Sequence, residues 1–109
     1  MSIVILSKKA TSQDLKKASL DYKTYVKITL DLEKEIVAVG GEYHADAEKL
    51  LLSQGSLQKN IWGGGLDIHT SEIQFTALIN IKPTTNSSMD ILDEKIRKKF
   101  LKLCKTILF

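Results

Sequence analysis

The 109-residue sequence predicts a single α+β domain over residues 1–109, with a mainly antiparallel sheet of four to five strands and about three helices packed largely on one face. Three observations support this fold class. Segments of strand-like pattern are interspersed with segments of helical periodicity. The length suits one hydrophobic core. The composition, 43% hydrophobic and 27% charged, is that of an ordinary globular protein and excludes disorder or a coiled coil.

The first part of the chain predicts a strand, a helix and a β-hairpin. Residues 3–6 are continuously apolar, which indicates a short strand buried on both faces, and a helix is predicted to begin near residue 11. Between Tyr25 and Leu32 apolar and polar residues alternate, as in a half-buried strand. Residues 36–39 form a second apolar run, so the two strands are predicted to pair.

The second part predicts a helix, a loop and a long strand. The helical pattern runs from His44 to Gln54 and ends at Gly55, which suits a left-handed cap. Residues 62–65, Trp-Gly-Gly-Gly, predict a flexible loop. The alternation of residues facing two opposite sides over residues 73–81 predicts a long strand, which a polar surface loop follows.

The final segment predicts an amphipathic helix capped by Asp93. It contains six basic and two acidic residues over 93–109, a charge of +4 in a chain whose net charge is +3. Arg97 falls within or beside the apolar arc, where an unpaired guanidinium would be costly. The apolar arc consists of Ile96, Phe100, Leu103, Cys104 and Ile107, and the opposite stripe of Lys95, Lys98, Lys99, Lys102 and Lys105.

Cysteine usage and hydropathy predict a soluble, cytoplasmic protein. Cys104 is the single cysteine, so no intramolecular disulfide can form, and no spacing typical of structural zinc is present. The apolar run at residues 3–6 is too short for a signal peptide, and no stretch approaches the roughly 20 apolar residues of a membrane span. Cofactor, partners and oligomeric state remain undetermined by the sequence.

Several motifs lie between Tyr25 and the C-terminus, and in this combination the chain resembles a small family of bacterial and archaeal proteins known only as a domain of unknown function. The resemblance covers about four fifths of the chain and implies no reaction. Arginine is more familiar in that family where Lys82 stands, and the stretch after Trp62 is more glycine-rich here. The motifs are DLEKE at 31–35, GGEYHADAE at 40–48, GSLQ at 55–58, WG at 62–63, INIKP at 79–83, NSS at 86–88 and DEKIR at 93–97.

A first candidate site is the acidic segment at the start of the second predicted helix. Glu42, Asp46 and Glu48 surround His44, and His44 and Glu48 share a helix face because they are four residues apart. Such a pair suits metal binding or acid–base chemistry. The alternative interpretation is helix capping, in which the acids oppose the positive end of the helix dipole.

A second candidate site lies near the predicted long strand. Asn80, Lys82, Asn86 and Ser88, together with Arg97, would form a polar pocket for an anionic ligand. The alternative is a set of hydrogen bonds that fix the loop. Trp62 and the glycines after it suit either an anion-binding backbone or an anchor that packs a loop on the core.

These observations favour a small cytosolic binding protein with a polar pocket for an anionic ligand or a partner. Two alternatives stay open: a metal-dependent or acid–base hydrolytic enzyme using Glu42, His44, Asp46 and Glu48, and nucleic-acid binding through the basic last helix, which the confinement of charge to one helix disfavours. No catalytic residue and no metal ligand set is assigned. The candidate pocket comprises Glu42, His44, Asp46, Glu48, Trp62, Asn80, Lys82, Asn86, Ser88 and Arg97.

Overall fold

A computed structural model describes residues 3–8 and 25–108, which form an α+β fold around a five-stranded antiparallel sheet of order β1-β3-β2-β4-β5. This confirms the predicted class and sheet. The described residues contain two helices rather than about three, and the helix predicted near residue 11 lies outside them. The elements are β1 Ile3–Leu6, β2 Tyr25–Asp31, β3 Ile36–Gly40, α1 His44–Ser53, β4 Ile61–Asp67, β5 Ile73–Gln74 and α2 Glu94–Leu108, with 3-10 turns at Gln58–Asn60 and Leu78–Asn80.

Strands β2 and β3 form the predicted hairpin, with Asp31 paired to Ile36. The hairpin has no Asn-Gly sequence in its turn. The side chain of Asp31 stabilises the turn instead. Its Oδ1 accepts hydrogen bonds from the N–H groups of Glu33 at 2.9 Å and Lys34 at 3.0 Å. Glu35 adopts the left-handed conformation, φ 56°, that closes the turn.

The two described helices lie on opposite faces of the sheet, not on one face as the sequence predicts. Val37 and Val39 of β3 belong to a core cluster with Phe100 of α2, whereas Ala38 between them packs with Ala47 of α1. Successive side chains of a strand point to opposite faces, so α1 and α2 cover different sides. The prediction failed because polar residues on β2, including Thr29, are fully buried instead of facing solvent.

The glycine-rich stretch after Trp62 is part of β4 and not a loop. It pairs with β2 along its whole length, including Thr29 with Gly63 and Lys27 with Gly65. A Cβ on Gly63 would lie 2.7 Å from the Cβ of Ala77, so the position has no room for a side chain. These glycines therefore mark a strand on which other groups pack directly against the backbone.

The long strand predicted over residues 73–81 is wrong. Strand β5 is only two residues long, and a single bridge between Thr76 and Asp90 and the 3-10 turn at Leu78–Asn80 follow it. The chain leaves the sheet because Asn80, which alternation places outward, turns inward and is fully buried.

Helix α2 begins where the sequence predicts. Oδ1 of Asp93 accepts from the N–H groups of Lys95 at 2.7 Å and Ile96 at 3.3 Å, as an N-cap does. Arg97 is exposed, and its Cζ lies 4.8 Å from the ring centre of the partly buried Phe75, so it lies beside the apolar arc and not within it. Over the described part of the chain, no helix has the length and apolar character needed to cross a bilayer.

Candidate ligand-binding cleft at the start of helix α1

A cleft of about 330 Å³ opens beside the first turn of α1, on the sheet face that this helix covers. Its volume falls within the range of small-molecule sites. We name it the α1 cleft. It is lined by residues of β2, of the start of α1 and of the loop after β5. Its lining residues are Lys27, Tyr43, His44, Ala45, Thr76, Ala77, Leu78, Ile79 and Met89.

His44, the first residue of α1, is the principal polar group of the cleft. Its Nε2 lies 2.6 Å from the carbonyl oxygen of Gly64. Because a carbonyl oxygen only accepts, Nε2 carries a proton and, in the neutral ring, Nδ1 keeps its lone pair. The hydrogen bond thus fixes the tautomer and leaves Nδ1 as the ring atom available to a ligand.

The surroundings of His44 favour its neutral form. Burial lowers its pKa below the ordinary value of 6.5, and the positive charge of Lys27 lowers it further, while the hydrogen bond to Gly64 acts in the opposite direction. Lys27 and His44 share the cleft, so one cation and one neutral imidazole face the same space. The cleft therefore offers a charge for an anion and a lone pair for a hydrogen-bond donor.

The glycines of β4 explain how the imidazole lies so close to the sheet. A Cβ on Gly63 would be 2.9 Å from Cδ2 of His44 and 3.1 Å from Cδ1 of Ile79. Any larger residue would push the ring off the strand and lengthen its hydrogen bond to Gly64. The backbone of β4 is thus the surface on which His44 is positioned.

The start of α1 has no side-chain cap. Its N-cap residue, Tyr43, is extended and makes no side-chain cap hydrogen bond, and Glu42 and Asp46 are exposed. The capping interpretation of this acidic segment is therefore wrong with respect to side-chain caps, although Asp46 in the first turn still opposes the helix dipole. The partial positive charge at this helix end adds to that of Lys27.

Large apolar side chains surround the opening. Tyr43 is 62% exposed, Leu78 70% and Met89 41%, although all three are of a size that proteins commonly bury. They line the same cleft as Lys27 and His44. An exposed apolar rim around a few polar groups is typical of a binding surface.

Asn80 belongs to a separate, buried structure that holds the loop after β5 against β4. It is 0% exposed and hydrogen-bonds both the N–H and the carbonyl of Gly63. It also donates to the carbonyl oxygens of Phe75 at 3.3 Å and Met89 at 2.9 Å. Every polar atom of this side chain is occupied by the backbone, so the amide acts as a structural brace.

Asn86 continues this brace. Its Nδ2 lies 2.9 Å from the carbonyl oxygen of Asn80, 2.8 Å from that of Ser88 and 2.9 Å from that of Asp90, and its Oδ1 accepts from the N–H of Leu92 at 3.1 Å. The Ser88 hydroxyl oxygen in turn accepts from the N–H of Asp90 at 3.1 Å. These contacts match the alternative in which the polar residues fix the loop.

Lys82 completes the structure around Trp62. Its Nζ donates to the carbonyl oxygen of Gln58 at 2.7 Å and lies 4.7 Å from the centre of the Trp62 ring. Burial lowers the pKa of Lys82, and the nearby carboxylate of Glu48 opposes this shift. Trp62 is 4% exposed and packs in the core, as the anchor interpretation predicts, but it belongs to strand β4 and not to a loop.

The ten predicted pocket residues do not share one cavity. His44 lies in the α1 cleft, and Trp62, Asn80, Lys82, Asn86 and Ser88 form the brace. Glu48 lies 3.4 Å from Nε2 of Gln58, beside the brace. Arg97 lines a separate hollow with Glu94, Lys98, Leu101 and Phe75. Within residues 3–8 and 25–108, no group of three or more His, Cys, Asp or Glu side chains could hold a metal ion.

Sequence reasoning missed most of the cleft. For Lys27 the sequence offered one indication, its place on the polar face of β2. Tyr43 lies within the motif around His44, but nothing in the sequence indicated that it lines a cleft. Thr76, Leu78 and Met89 carried no signal, since the chain was predicted to be a strand or a surface loop there.

The structure is that of a small α+β domain with a cleft at the start of a helix. The family model described as "Protein of unknown function (DUF5674)" matches residues 4–107. The chain therefore belongs to this family, which confirms the resemblance to a domain of unknown function. No curated protein matches the chain, and no solved structure does.

Proposed function

We propose that this protein is a single-domain binding protein whose α1 cleft holds a small organic acid with an apolar body and a hydroxyl or amide donor near its acidic group. The observation that carries the proposal is the position of His44, whose ring is fixed to Gly64 beside Lys27 in an apolar-walled cleft. The acidic group of the ligand would face Lys27, its hydrogen-bond donor would face His44, and its apolar body would lie against the apolar walls.

The charge of the cleft supports a monoanion. Lys27 supplies one full positive charge, and the amino end of α1 adds a partial one. His44 is neutral near pH 7 because its pKa is lowered. A dianion such as phosphate would leave one charge without a partner between apolar walls, which is costly. A carboxylate suits the site better.

The neutral imidazole supports a neighbouring donor on the ligand. Nδ1 of His44 accepts a hydrogen bond, so a hydroxyl or amide N–H on the ligand would complete the pair. The apolar body would lie against Leu78, Ile79 and Met89, of which Leu78 is 70% exposed and Met89 41%. Burial of this rim would supply the hydrophobic part of the affinity.

NMR titration of the ¹⁵N-labelled protein tests the proposal with four probes: 2-hydroxyhexanoate, hexanoate, hexanol and inorganic phosphate. We expect 2-hydroxyhexanoate to bind most tightly, hexanoate next, and the other two weakest, with shifts concentrated at Lys27, His44 and Thr76. Lys27→Met should weaken binding of the two acids about tenfold, the equivalent of ~1.4 kcal/mol, and leave hexanol unchanged.

Lys49→Met is the matched control, since Lys49 lies exposed on the same helix outside the cleft. It should leave all four affinities unchanged. Equal affinity for hexanol and hexanoate, or shifts that avoid the cleft, would contradict the proposal.

Acid–base hydrolysis at the same cleft is a second candidate. It is supported by His44, because a neutral imidazole with an available Nδ1 suits a general base. The acids of the predicted cluster do not assist it, since Glu42 and Asp46 are exposed and Glu48 lies toward Gln58. Hydrolysis of p-nitrophenyl esters by the wild type, abolished in His44→Gln, is the expected result. Equal rates in both proteins would eliminate this candidate.

A cytoplasmic location is part of the proposal. It is supported by the single cysteine, Cys104, which is buried as a free thiol. Fractionation of cells that express the tagged protein should recover it with the cytoplasmic markers.

A further inference from the structure

We propose that the exposed face of α2 binds the phosphate backbone of double-stranded nucleic acid without sequence preference. This surface is independent of the α1 cleft, since α1 and α2 cover opposite faces of the sheet. The proposal rests on a row of lysines, on the acidic residues that border it and on the scarcity of apolar anchors along it.

The basic row, as we name it, consists of four lysines along one line of α2: Lys95, Lys98, Lys102 and Lys105. All four side chains are exposed, on the side opposite the buried Phe100 and Cys104. At 1.5 Å of rise per residue the row is about 15 Å long. One strand of a duplex carries a phosphate about every 3.4 Å along its axis, so the row would span about four phosphates.

Acidic residues border the row and define its direction. Glu33 and Glu35, in the turn between β2 and β3, line a hollow together with Lys99 and Lys102 on one side of α2. Glu94 lies at the start of the helix, in the hollow that contains Arg97. The positive surface is therefore a strip along the helix axis, which favours a linear polyanion over a compact one.

The composition of the face favours nucleic acid over an acidic protein. Protein interfaces depend on buried aromatic or apolar anchors near their centre. Along the basic row Leu101 is the one apolar residue, and it is already partly buried. Attraction without anchors is the regime of phosphate binding, in which released counterions supply the affinity. The exposed positions of α2, from Glu94 to Thr106, include no aromatic residue for stacking bases, so a duplex fits better than a single strand.

Fluorescence anisotropy with a labelled DNA duplex of ~20 base pairs measures the number of phosphates engaged, because log K falls with log salt by about 0.9 per phosphate. For about four contacts the slope is roughly −3.6, so affinity should fall roughly 150-fold between 50 and 200 mM salt. The triple variant Lys98→Gln/Lys102→Gln/Lys105→Gln should reduce the slope to about −0.9.

The matched control is Lys8→Gln/Lys49→Gln/Lys59→Gln, which removes the same charge from exposed lysines elsewhere. It should keep the slope of the wild type. Circular dichroism checks that α2 still forms in both variants, and glutamine is a good helix former. Four results would overturn the proposal: no duplex binding at 50 mM salt, equal losses in the two triple variants, tighter binding of poly-glutamate, or tighter binding of the single strand.

Discussion

The side-chain amide of Asn80 hydrogen-bonds both backbone groups of Gly63, accepting from its N–H at 2.8 Å and donating to its carbonyl oxygen at 2.9 Å. On its other edge Gly63 pairs with Thr29 of β2. Strand β5 pairs with β4 at Gly65 and Leu66. At Gly63 a side chain therefore takes the place of a neighbouring strand.

Replacement of Asn80 with alanine should strongly destabilise the fold. It would leave the buried N–H and carbonyl of Gly63 without the hydrogen bonds that Asn80 makes to them. We expect the free energy of unfolding to fall by about 3 kcal/mol or more, since each unpaired buried group costs about 1–3 kcal/mol. Urea unfolding measures the change. The control, Gln74→Ala at an exposed position, should cost less than about 0.5 kcal/mol.

The glycines of β4 should differ in their tolerance of alanine. A Cβ on Gly64 would collide with the carbonyl oxygen of Gln74 and lie 2.8 Å from the Phe100 ring, whereas one on Gly65 would meet the ring of Tyr25. The backbone of Gln74 cannot move without breaking its pairing with Gly65, but a tyrosine ring can turn aside. Gly64→Ala should therefore cost about 2–3 kcal/mol, and Gly65→Ala less.

A double variant checks the second part of that prediction. In a Tyr25→Ala background the ring is gone, so Gly65→Ala should lose most of its remaining cost, as measured by thermal or urea unfolding. The cost of Gly64→Ala should not change in that background. A larger cost for Gly65→Ala than for Gly64→Ala would contradict the geometry of β4.

His44 should make stability depend on pH in a defined window. Its pKa in the folded protein is lowered below 6.5, the ordinary value that applies to the unfolded chain. At a pH between the folded-state pKa and 6.5, the unfolded chain therefore binds more protons than the folded protein. The free energy of unfolding should therefore rise with pH across this window, and the contribution is lost as the pH falls from 6.5 toward the folded-state pKa. His44→Gln should remove this slope in urea unfolding from pH 7.5 to pH 5.

The exposed His69 provides the matched control for this experiment. His69→Gln should keep the pH slope of the wild type. Direct NMR titration of the His44 ring should give a midpoint below 6.5, and a midpoint above that value would show that burial does not dominate its environment.

Cys104 should be chemically inert in the native protein. It is 0% exposed on the core-facing side of α2, and burial raises the pKa of its thiol to about 12. Its reaction with a disulfide reagent at pH 8 should be at least roughly 1000-fold slower than in the unfolded chain, since reaction requires opening of the fold. Rapid modification of a protein that keeps its native circular dichroism would show instead that α2 detaches easily from the sheet.

The sequence predicted those elements whose side chains follow a regular pattern. The hairpin of β2 and β3, helix α1 and helix α2 all occur where periodicity indicates them. Strand β4 was missed because Gly63, Gly64 and Gly65 have no side chains to show a pattern, and the reason for the glycines lies in distant residues such as Phe100. Alternation after Ile73 was misleading because Asn80 turns inward to bind Gly63.

The candidate site was predictable only in part. The motif at 40–48 correctly drew attention to His44, but its partner in space, Gly64, lies twenty residues along the chain. Lys27 comes from another strand again. The sequence indicated that the polar residues near Lys82 belong together. It did not show that they are buried and brace the loop, because their burial results from tertiary packing that no local pattern encodes.

Gly64 is in contact with both layers of the molecule at once. Its carbonyl oxygen receives the hydrogen bond of His44, while its α-carbon faces the Phe100 ring from the other helix. Only the backbone of Gly64 separates the imidazole of His44 from the ring of Phe100, and glycine has no side chain that could deform between them. The backbone of Gly64 would therefore have to accommodate a displacement of either ring, because protein interiors are closely packed.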